Sequence, residues 1–512
     1  MQQAQSNTNV RRAQSNTIDT VIVRQGRRLP TKTALTFEDR SWTFRELDDA
    51  VSRAAEYLNV LGLEQGDRVA AYGQNSDAYG ILFFACARAG LVHVPLNYAL
   101  TGGELEYLLD DCGASAIFVD PHLEQYLDEV SNVPAIRLST TDGPDSLLGR
   151  ASGGDVPVVE PVAGRDDLAQ LLYTSGTTSR PKGSMMTHGS MTMHMASNVV
   201  AFDIRESDVE VLCMPLYHSA GMHNWFVPFL SSGATVHLMQ TPEIPKILAK
   251  VEETKATVLF LAPTVWVPLT NHPEFATRDW SSLRRAFYGA SIMPVPVVQR
   301  LMDRLPELGL YNCFGQSEIG PLATVLKPWE HEGRMESCGR AVLFVDMRVV
   351  DDAMNDVAPG ETGEVVYRSP QLCQGYWNKP EATKEAFAGD WFHSGDLARI
   401  DGDGYITIVD RIKDVINTGG VLVASREVED CLYTHDAVAE VAVVGLPDEK
   451  WIEAICAFVV RKPGVDVEAD ELIAHTRKSL AKFKIPKEIR FVDELPRNQS
   501  GKLLKRILRD GA

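Results

Sequence analysis

Cysteine is scarce in this chain and never clustered. There are eight in 512 residues, none in a Cys-x-x-Cys spacing and none set beside histidines at zinc-site intervals. That pattern argues against a disulfide scaffold or a structural zinc. It reads Cys86, Cys112, Cys213, Cys313, Cys338, Cys373, Cys431 and Cys456 as reduced core residues of a cytoplasmic protein. No apolar run reaches the roughly eighteen residues of a membrane span, and the first residues have no apolar signal core, so stable membrane insertion is not expected. Positive charge is in deficit, 50 basic against 69 acidic residues for a net charge of -19, which excludes a general nucleic-acid or anionic-membrane binder. The ordinary nucleotide loop, Gly-x-x-x-x-Gly-Lys-Ser/Thr, is also missing. The last residues, Asp510-Gly511-Ala512, carry no peroxisomal or retention signal.

What is present is an alternation of short apolar runs and longer helical patterns. Arg68 to Tyr72, Ala116 to Asp120, Val209 to Met214, Thr235 to Met239, Thr257 to Leu261 and Arg284 to Tyr288 read as buried strands, and Thr43 to Leu61 and Ile81 to Ala89 as helices. Such alternation predicts an α/β fold of mostly parallel sheets with helices on their faces, and ligands at the carboxyl ends of the strands. Past Val342 the strands come closer together (Asp346 to Val350, Gly363 to Arg368, Tyr405 to Val409), which predicts an antiparallel, barrel-like subdomain. Beyond Asp410 to Asp414 a small α+β pattern follows, with a helix at Ser425 to Tyr433, strands near Val438 to Val444 and Ile455 to Val460, and a helix at Ala469 to Ala481. The expected division is a disordered polar tail over 1–17, where Ala-Gln-Ser-Asn-Thr occurs twice, a large N-terminal domain over 18–410 and a small C-terminal domain over 411–512. Charge is uneven at the end, with eleven Lys/Arg against three Asp/Glu between Arg477 and Arg509.

One segment carries chemistry on its face. Tyr173 to His188 reads Tyr-Thr-Ser-Gly-Thr-Thr-Ser-Arg-Pro-Lys-Gly-Ser-Met-Met-Thr-His, a run of hydroxyls and glycines around Lys182. Glycine lets backbone approach an anion, amides and hydroxyls donate to its oxygens, and the lysine adds charge, so the loop suits phosphate. It resembles the phosphate loop of the adenylate-forming superfamily of acyl-CoA synthetases, luciferases and peptide-synthetase adenylation domains. The resemblance recurs in the family's order: Pro215-Leu216-Tyr217-His218, Asn312-Cys313-Phe314-Gly315-Gln316-Ser317-Glu318, Gly375-Tyr376-Trp377-Asn378-Lys379-Pro380-Glu381-Ala382-Thr383, Ser394-Gly395-Asp396-Leu397, Asp410-Arg411-Ile412-Lys413-Asp414 and Asn498-Gln499-Ser500-Gly501-Lys502. It covers essentially Thr43 to Arg509.

The resemblance implies an acyl-CoA ligase that joins a carboxylic acid to CoA through an acyl-adenylate, using ATP and Mg²⁺. By it, Thr174, Ser175, Gly176, Thr177, Thr178 and Lys182 grip the β- and γ-phosphates, Glu318 holds Mg²⁺, and Ser317 touches the α-phosphate. Phe314, Asn312, Gly315, Gln316 and the stretch Gly289-Ala290-Ser291 serve adenine, Asp396 and Arg411 the ribose, and His218 the carboxylate pocket. Lys502 bridges substrate carboxylate and α-phosphate, a role that suits a cation shared by two mutually repelling oxyanions. It rides on a small mobile domain that rotates between half-reactions at Lys413, bringing Gly419, Gly420 and Trp451 to the pantetheine path. Met222, His223, Trp225, Phe226 and Tyr288 are read as lining a wide aromatic cavity for a medium-chain or bulky cyclic acid, or as core. The oligomeric state is left open, a homodimer included.

The chain departs from the family pattern at a few positions. Ser179 stands where glycine is usual and Ser184 where an aliphatic residue is usual. The family's Gly-Gly-Glu-Asn-x-Tyr-Pro becomes Gly419-Gly420-Val421-Leu422-Val423-Ala424-Ser425, and Ile452 replaces a glycine beside Trp451. A serine forced to positive φ strains a loop by about 1 kcal/mol or somewhat more. The expectation drawn is intact thioester formation with slow adenylation. The alternatives are loading of a carrier protein and a non-catalytic acyl-nucleotide or acyl-CoA binding protein.

Overall fold

The computed structural model describes residues 17–128, 130, 133–140, 145–159, 162–174, 180–291, 293–419, 421–448, 450–497 and 503–511. The described residues group into two compact units, one of 17–174, 180–346 and 368–387, the other of 347–367 and 388–511. The expected boundary at 410/411 falls inside the second unit, before the last residue of the strand Ile406–Arg411.

The first unit holds two sheets. The six-stranded sheet runs in the order Ala135–Arg137, Ala114–Val119, Arg68–Tyr72, Val92–Leu96, Leu168–Thr174, Lys182–Thr187. All its pairings are parallel except the last, an antiparallel hairpin in which Thr174 faces Lys182. The nine-stranded sheet has a parallel centre (Gly309–Phe314, Arg285–Gly289, Val258–Phe260, Val209–Leu212, Thr235–Leu238, Thr33–Phe37) and antiparallel strands at its edges. Their burial on both faces explains the near-continuous apolar runs: every residue of Arg285–Gly289 and of Val258–Phe260 is buried.

Helices seal the faces. Phe44–Val60 starts at a capping box in which Thr43 accepts from the Glu46 N–H while the Glu46 carboxylate accepts from the Thr43 N–H, and it buries Phe44, Leu47, Val51, Ala54 and Leu58 on one stripe. Asp77–Ala89 is buried along its whole length and ends on Gly90 in the left-handed conformation.

Where a barrel-like subdomain is expected, the second unit contains a four-stranded sheet in the order Asp346–Val350, Thr362–Arg368, Phe392–Ile400 and Ile406–Arg411, the last three pairing antiparallel. It also contains a five-stranded sheet centred on Val438–Asp448 and Ile452–Arg461, packed against helices Ser425–Tyr433 and Ala469–Ser479.

Candidate functional site

Two strand ends of the first unit present the motif residues. Leu168–Thr174 delivers Thr174 at its carboxyl end, and Gly309–Phe314 leads through Gly315 and Gln316 into the turn Ser317–Ile319. Glu318 on that turn is only 8% exposed, and its Oε1 accepts from the Thr174 hydroxyl and the Tyr376 hydroxyl, each at 3.1 Å. Its main-chain carbonyl accepts from the Cys373 N–H at 2.8 Å. The segment Gln374 to Trp377 lies along the outer edge of Lys182–Thr187: the Met185 N–H donates to Gly375 O, the Gln374 N–H to Met185 O and the Trp377 N–H to Gly183 O. That places the Tyr376 ring 5.2 Å from the Lys182 ammonium. Thr174, Lys182, Glu318 and Tyr376 therefore converge from four separate stretches of sequence.

A second junction joins the pocket segment to the same turn. The Ser219 and Ser317 hydroxyls are 2.7 Å apart. His218 beside Ser219 accepts at Nδ1 from the Ala220 N–H at 3.2 Å, so its neutral ring carries the proton on Nε2. A π-helix, Ala220–Phe226, follows; such turns are frequent at functional sites.

Gly289 pairs with Cys313, and a Cβ there would lie 2.2 Å from Cys313 O, so only glycine fits. Ala290 follows at φ +63°, an uncommon conformation for a residue with a Cβ, and Ser291 is exposed. Phe314 is half-buried, and the Asn312 amide donates to Ser337 O at 2.8 Å. In the second unit Asp396 and Arg411 are cross-strand partners with Nε 3.0 Å from Oδ1, and Asp396 is 3% exposed. Gly419 donates to Trp451 O at 2.5 Å, and the Trp451 ring has the ammonium groups of Lys450 and Lys487 each 5.0 Å from its centroid. Ser175, Gly176, Thr177, Thr178, Ser179, Gly420 and Lys502 lie outside the described residues.

The aromatic residues after His218 belong to the core. Met222, Trp225 and Phe226 are at most 1% exposed, and Trp225 stacks on Phe202 and Phe260. Tyr288 packs in a different cluster, because it and Phe287 point to opposite faces of one strand; its hydroxyl lies 3.0 Å from His331 Nε2. The wide aromatic cavity read from these residues is thus replaced by the core alternative. His223 is a core residue too, 2.7 Å from Gln170 Oε1, while the Gln170 amide donates to His93 Nδ1 at 3.0 Å. Gln170 thereby sets the protons of both rings, on His223 Nε2 and His93 Nε2, and burial holds both pKa values down at about 3.

Tyr376 and Ser219 carry contacts to which the sequence reading gave no role. Their signals were present, one inside a motif match and the other next to His218, but neither reveals a contact across the fold.

A lone buried carboxylate beside hydroxyls suits Mg²⁺, which takes one or two carboxylates and fills its shell with water and substrate phosphate. No cluster of three or more His, Cys, Asp or Glu suited to a metal occurs among the described residues. No helix of the described residues is long and apolar enough to cross a membrane.

The model for AMP-binding enzymes matches residues 22–377, and that for the AMP-binding enzyme C-terminal domain matches 427–502. The chain belongs to the AMP-binding enzymes, the adenylate-forming superfamily of acyl-CoA synthetases. It is 38% identical to a feruloyl-CoA synthase of an Amycolatopsis species, over 94% of this chain and 96% of that one. It is 33% identical to an indoleacetate–CoA ligase of Aromatoleum aromaticum, over 93% and 94%. Among solved structures, the anthranilate CoA ligase AuaEII in complex with anthranoyl-AMP superposes with a TM-score of 0.90 at 26% identity, covering 97% of both chains.

Proposed function

We propose that this AMP-forming acid–thiol ligase makes the CoA thioester of an aromatic or other bulky cyclic carboxylic acid, in the cytoplasm. The meeting of the Thr174 and Tyr376 hydroxyls on Glu318, with Lys182 against the Tyr376 ring, is the observation that carries the reading. The acid class is supported by relatives named for ferulate, indoleacetate and anthranilate. The compartment is supported by eight cysteines that are all free thiols.

The chemistry begins with two anions that repel. A carboxylate oxygen attacks the α-phosphorus of ATP, the bond to the bridging oxygen breaks, and pyrophosphate leaves with its electron pair. Lys182 and the Thr174 hydroxyl hold the phosphates that depart. Glu318 is the residue that would hold Mg²⁺, which supplies charge neutralisation there. Ser317, fixed by Ser219, faces the α-phosphate, and His218 orients the acid. Phe314, Asn312 and Gly289 to Ser291 seat adenine, and Asp396 with Arg411 the ribose. Lys502 bridges carboxylate and α-phosphate as they close, an attraction that grows in the transition state. In the second half-reaction the CoA sulfur attacks the acyl carbon, the carbon–oxygen bond breaks and AMP leaves, with Gly419, Gly420 and Trp451 along the thiol's path. The lobe over 411–512 carries Lys502 and turns between the two steps.

Adenylation is the slower half. What supports this is the Ser184 hydroxyl, fully buried with no hydrogen-bond partner among the described residues, two positions from Lys182.

The test is product formation from ferulic, indoleacetic, anthranilic and long-chain fatty acids with ATP, Mg²⁺ and CoA or a carrier protein, with and without supplied acyl-adenylate. Aryl-CoA and AMP in equal amounts are expected, faster from supplied adenylate. Thioester from fatty acids alone, or on the carrier alone, contradicts the substrate or acceptor assignment.

A further inference from the structure

We infer that Asp111 is a positioning residue for adenylation, bracing both arms of the Leu168–Thr174/Lys182–Thr187 hairpin and the Gly375 to Lys379 segment beside it. The inference rests on the reading of that hairpin as the phosphate-holding element.

Asp111 is the penultimate residue of the helix Gly102–Cys112, where the helix dipole disfavours a carboxylate, and its side chain is only 8% exposed. Such an anion is retained only with partners, and it has three. Tyr173 on the incoming strand donates to Oδ2 at 2.8 Å. Lys379 lies 2.7 Å from Oδ1. The Tyr107 hydroxyl, one helical turn before Asp111, lies 3.3 Å from Oδ1 and 3.0 Å from Pro181 O on the outgoing arm, sharing its proton between them. The main-chain carbonyl of Asp111 adds a fourth contact, accepting from Trp377 Nε1 at 3.1 Å.

The tyrosine transmits the hold across the hairpin. Its ring crosses Gly183, where a Cβ would lie 3.1 Å from a ring carbon, so the residue that Asp111 grips lies flat on the outgoing strand. Tyr173 precedes Thr174, and Trp377 follows Tyr376. Both hydroxyls that meet Glu318 are thus next to a residue that Asp111 holds. Nothing puts Asp111 on a reacting atom; it acts through these neighbours.

The consequence separates the half-reactions. Adenylation handles the β- and γ-phosphates, whereas thioester formation starts from an acyl-adenylate that has lost them. A brace of the phosphate-holding hairpin therefore matters to the first and not to the second, while a residue needed only for folding would affect both.

The experiment compares wild type with Asp111→Asn and with Tyr173→Phe, which keeps the ring over Gly183. Acid-dependent ATP–pyrophosphate exchange is measured across ATP concentrations, and thioester formation from synthetic acyl-adenylate and CoA is measured without ATP. The expected result for Asp111→Asn is a fall of about ten- to a hundredfold in kcat/KM for ATP in exchange. Tyr173→Phe is expected to show a smaller fall in the same direction, and both variants to keep thioester formation within about twofold of wild type. Equal losses in both reactions, or unchanged exchange in folded variants, would overturn the inference. If Asp111→Asn does not fold, Tyr173→Phe decides by the same ratio. A wild type that makes no thioester from acyl-adenylate and CoA would instead overturn the functional reading.

Discussion

Thr174 and Glu318 are 144 positions apart in the chain and meet in the folded protein, the threonine hydroxyl donating to the carboxylate at 3.1 Å. One residue ends a strand of the six-stranded sheet, and the other lies just past a strand of the nine-stranded sheet. The contact makes the separation of the groups proposed to hold phosphate and Mg²⁺ a property of the whole first unit.

Glu318→Gln keeps an acceptor oxygen for Thr174 and Tyr376 but removes the charge. Adenylation is expected to fall about a hundredfold with a raised Mg²⁺ requirement, since several kcal/mol of charge stabilisation depend on the ion. Pyrophosphate exchange titrated with Mg²⁺ checks this, with a thermal melt showing that the fold is unchanged.

Ile452 has a φ of +68° and is 59% exposed, so a β-branched side chain sits in the left-handed region without burial in return. Ile452→Gly is expected to stabilise the protein by about 1 kcal/mol, the steric relief exceeding the entropy cost of glycine. Urea unfolding of the two proteins measures the difference.

Glu210 is fully buried in the strand Val209–Leu212, and neither carboxylate oxygen has a hydrogen-bond partner among the described residues. Burial first, and the nearby Asp208 second, push its pKa well above the usual 4.5. The folded state then holds a proton that the unfolded state releases, so this group's contribution falls as pH rises above about 4.5. Against Glu210→Gln, wild type is expected to lose up to about 3 kcal/mol between pH 4.5 and pH 7. Parallel urea titrations across that range decide it.

The pair His93 and His223 has the opposite sign. Both are neutral in the fold with pKa values near 3, below the ordinary 6.5, so the unfolded state binds more protons between those limits. Stability from this pair is full above about pH 6.5 and declines as pH falls toward 3. His223→Gln, which retains a donor for Gln170, is expected to flatten the decline between pH 6.5 and 4 by a few kcal/mol.

Much of this architecture was legible in the sequence because parallel strands buried on both faces leave unbroken apolar runs. Arg68–Tyr72, Asp346–Val350 and Ser425–Tyr433 fall where the pattern places them. The helix read from Ile81 begins earlier, at Asp77, because Ser76 caps it by accepting from the Tyr79 N–H; that signal is too short for periodicity to catch. The motif residues were legible as types and order, and Asp396 with Arg411, and Gly419 with Trp451, do lie together. Asp111 was not: nothing in its own neighbourhood marks it, and its partners Tyr173 and Lys379 are 62 and 268 positions away. The aromatic run after His218 left two readings open because a core helix and a pocket wall share one composition; the stacking of Trp225 on Phe202 and Phe260 decides for the core.

The most direct test of the central claim follows the oxygen that changes hands. With the substrate carboxylate labelled with oxygen-18, and ATP, Mg²⁺ and CoA supplied, the account predicts one labelled oxygen in each AMP formed, with AMP and thioester in equal amounts. Unlabelled AMP, or ADP and phosphate as products, would contradict it.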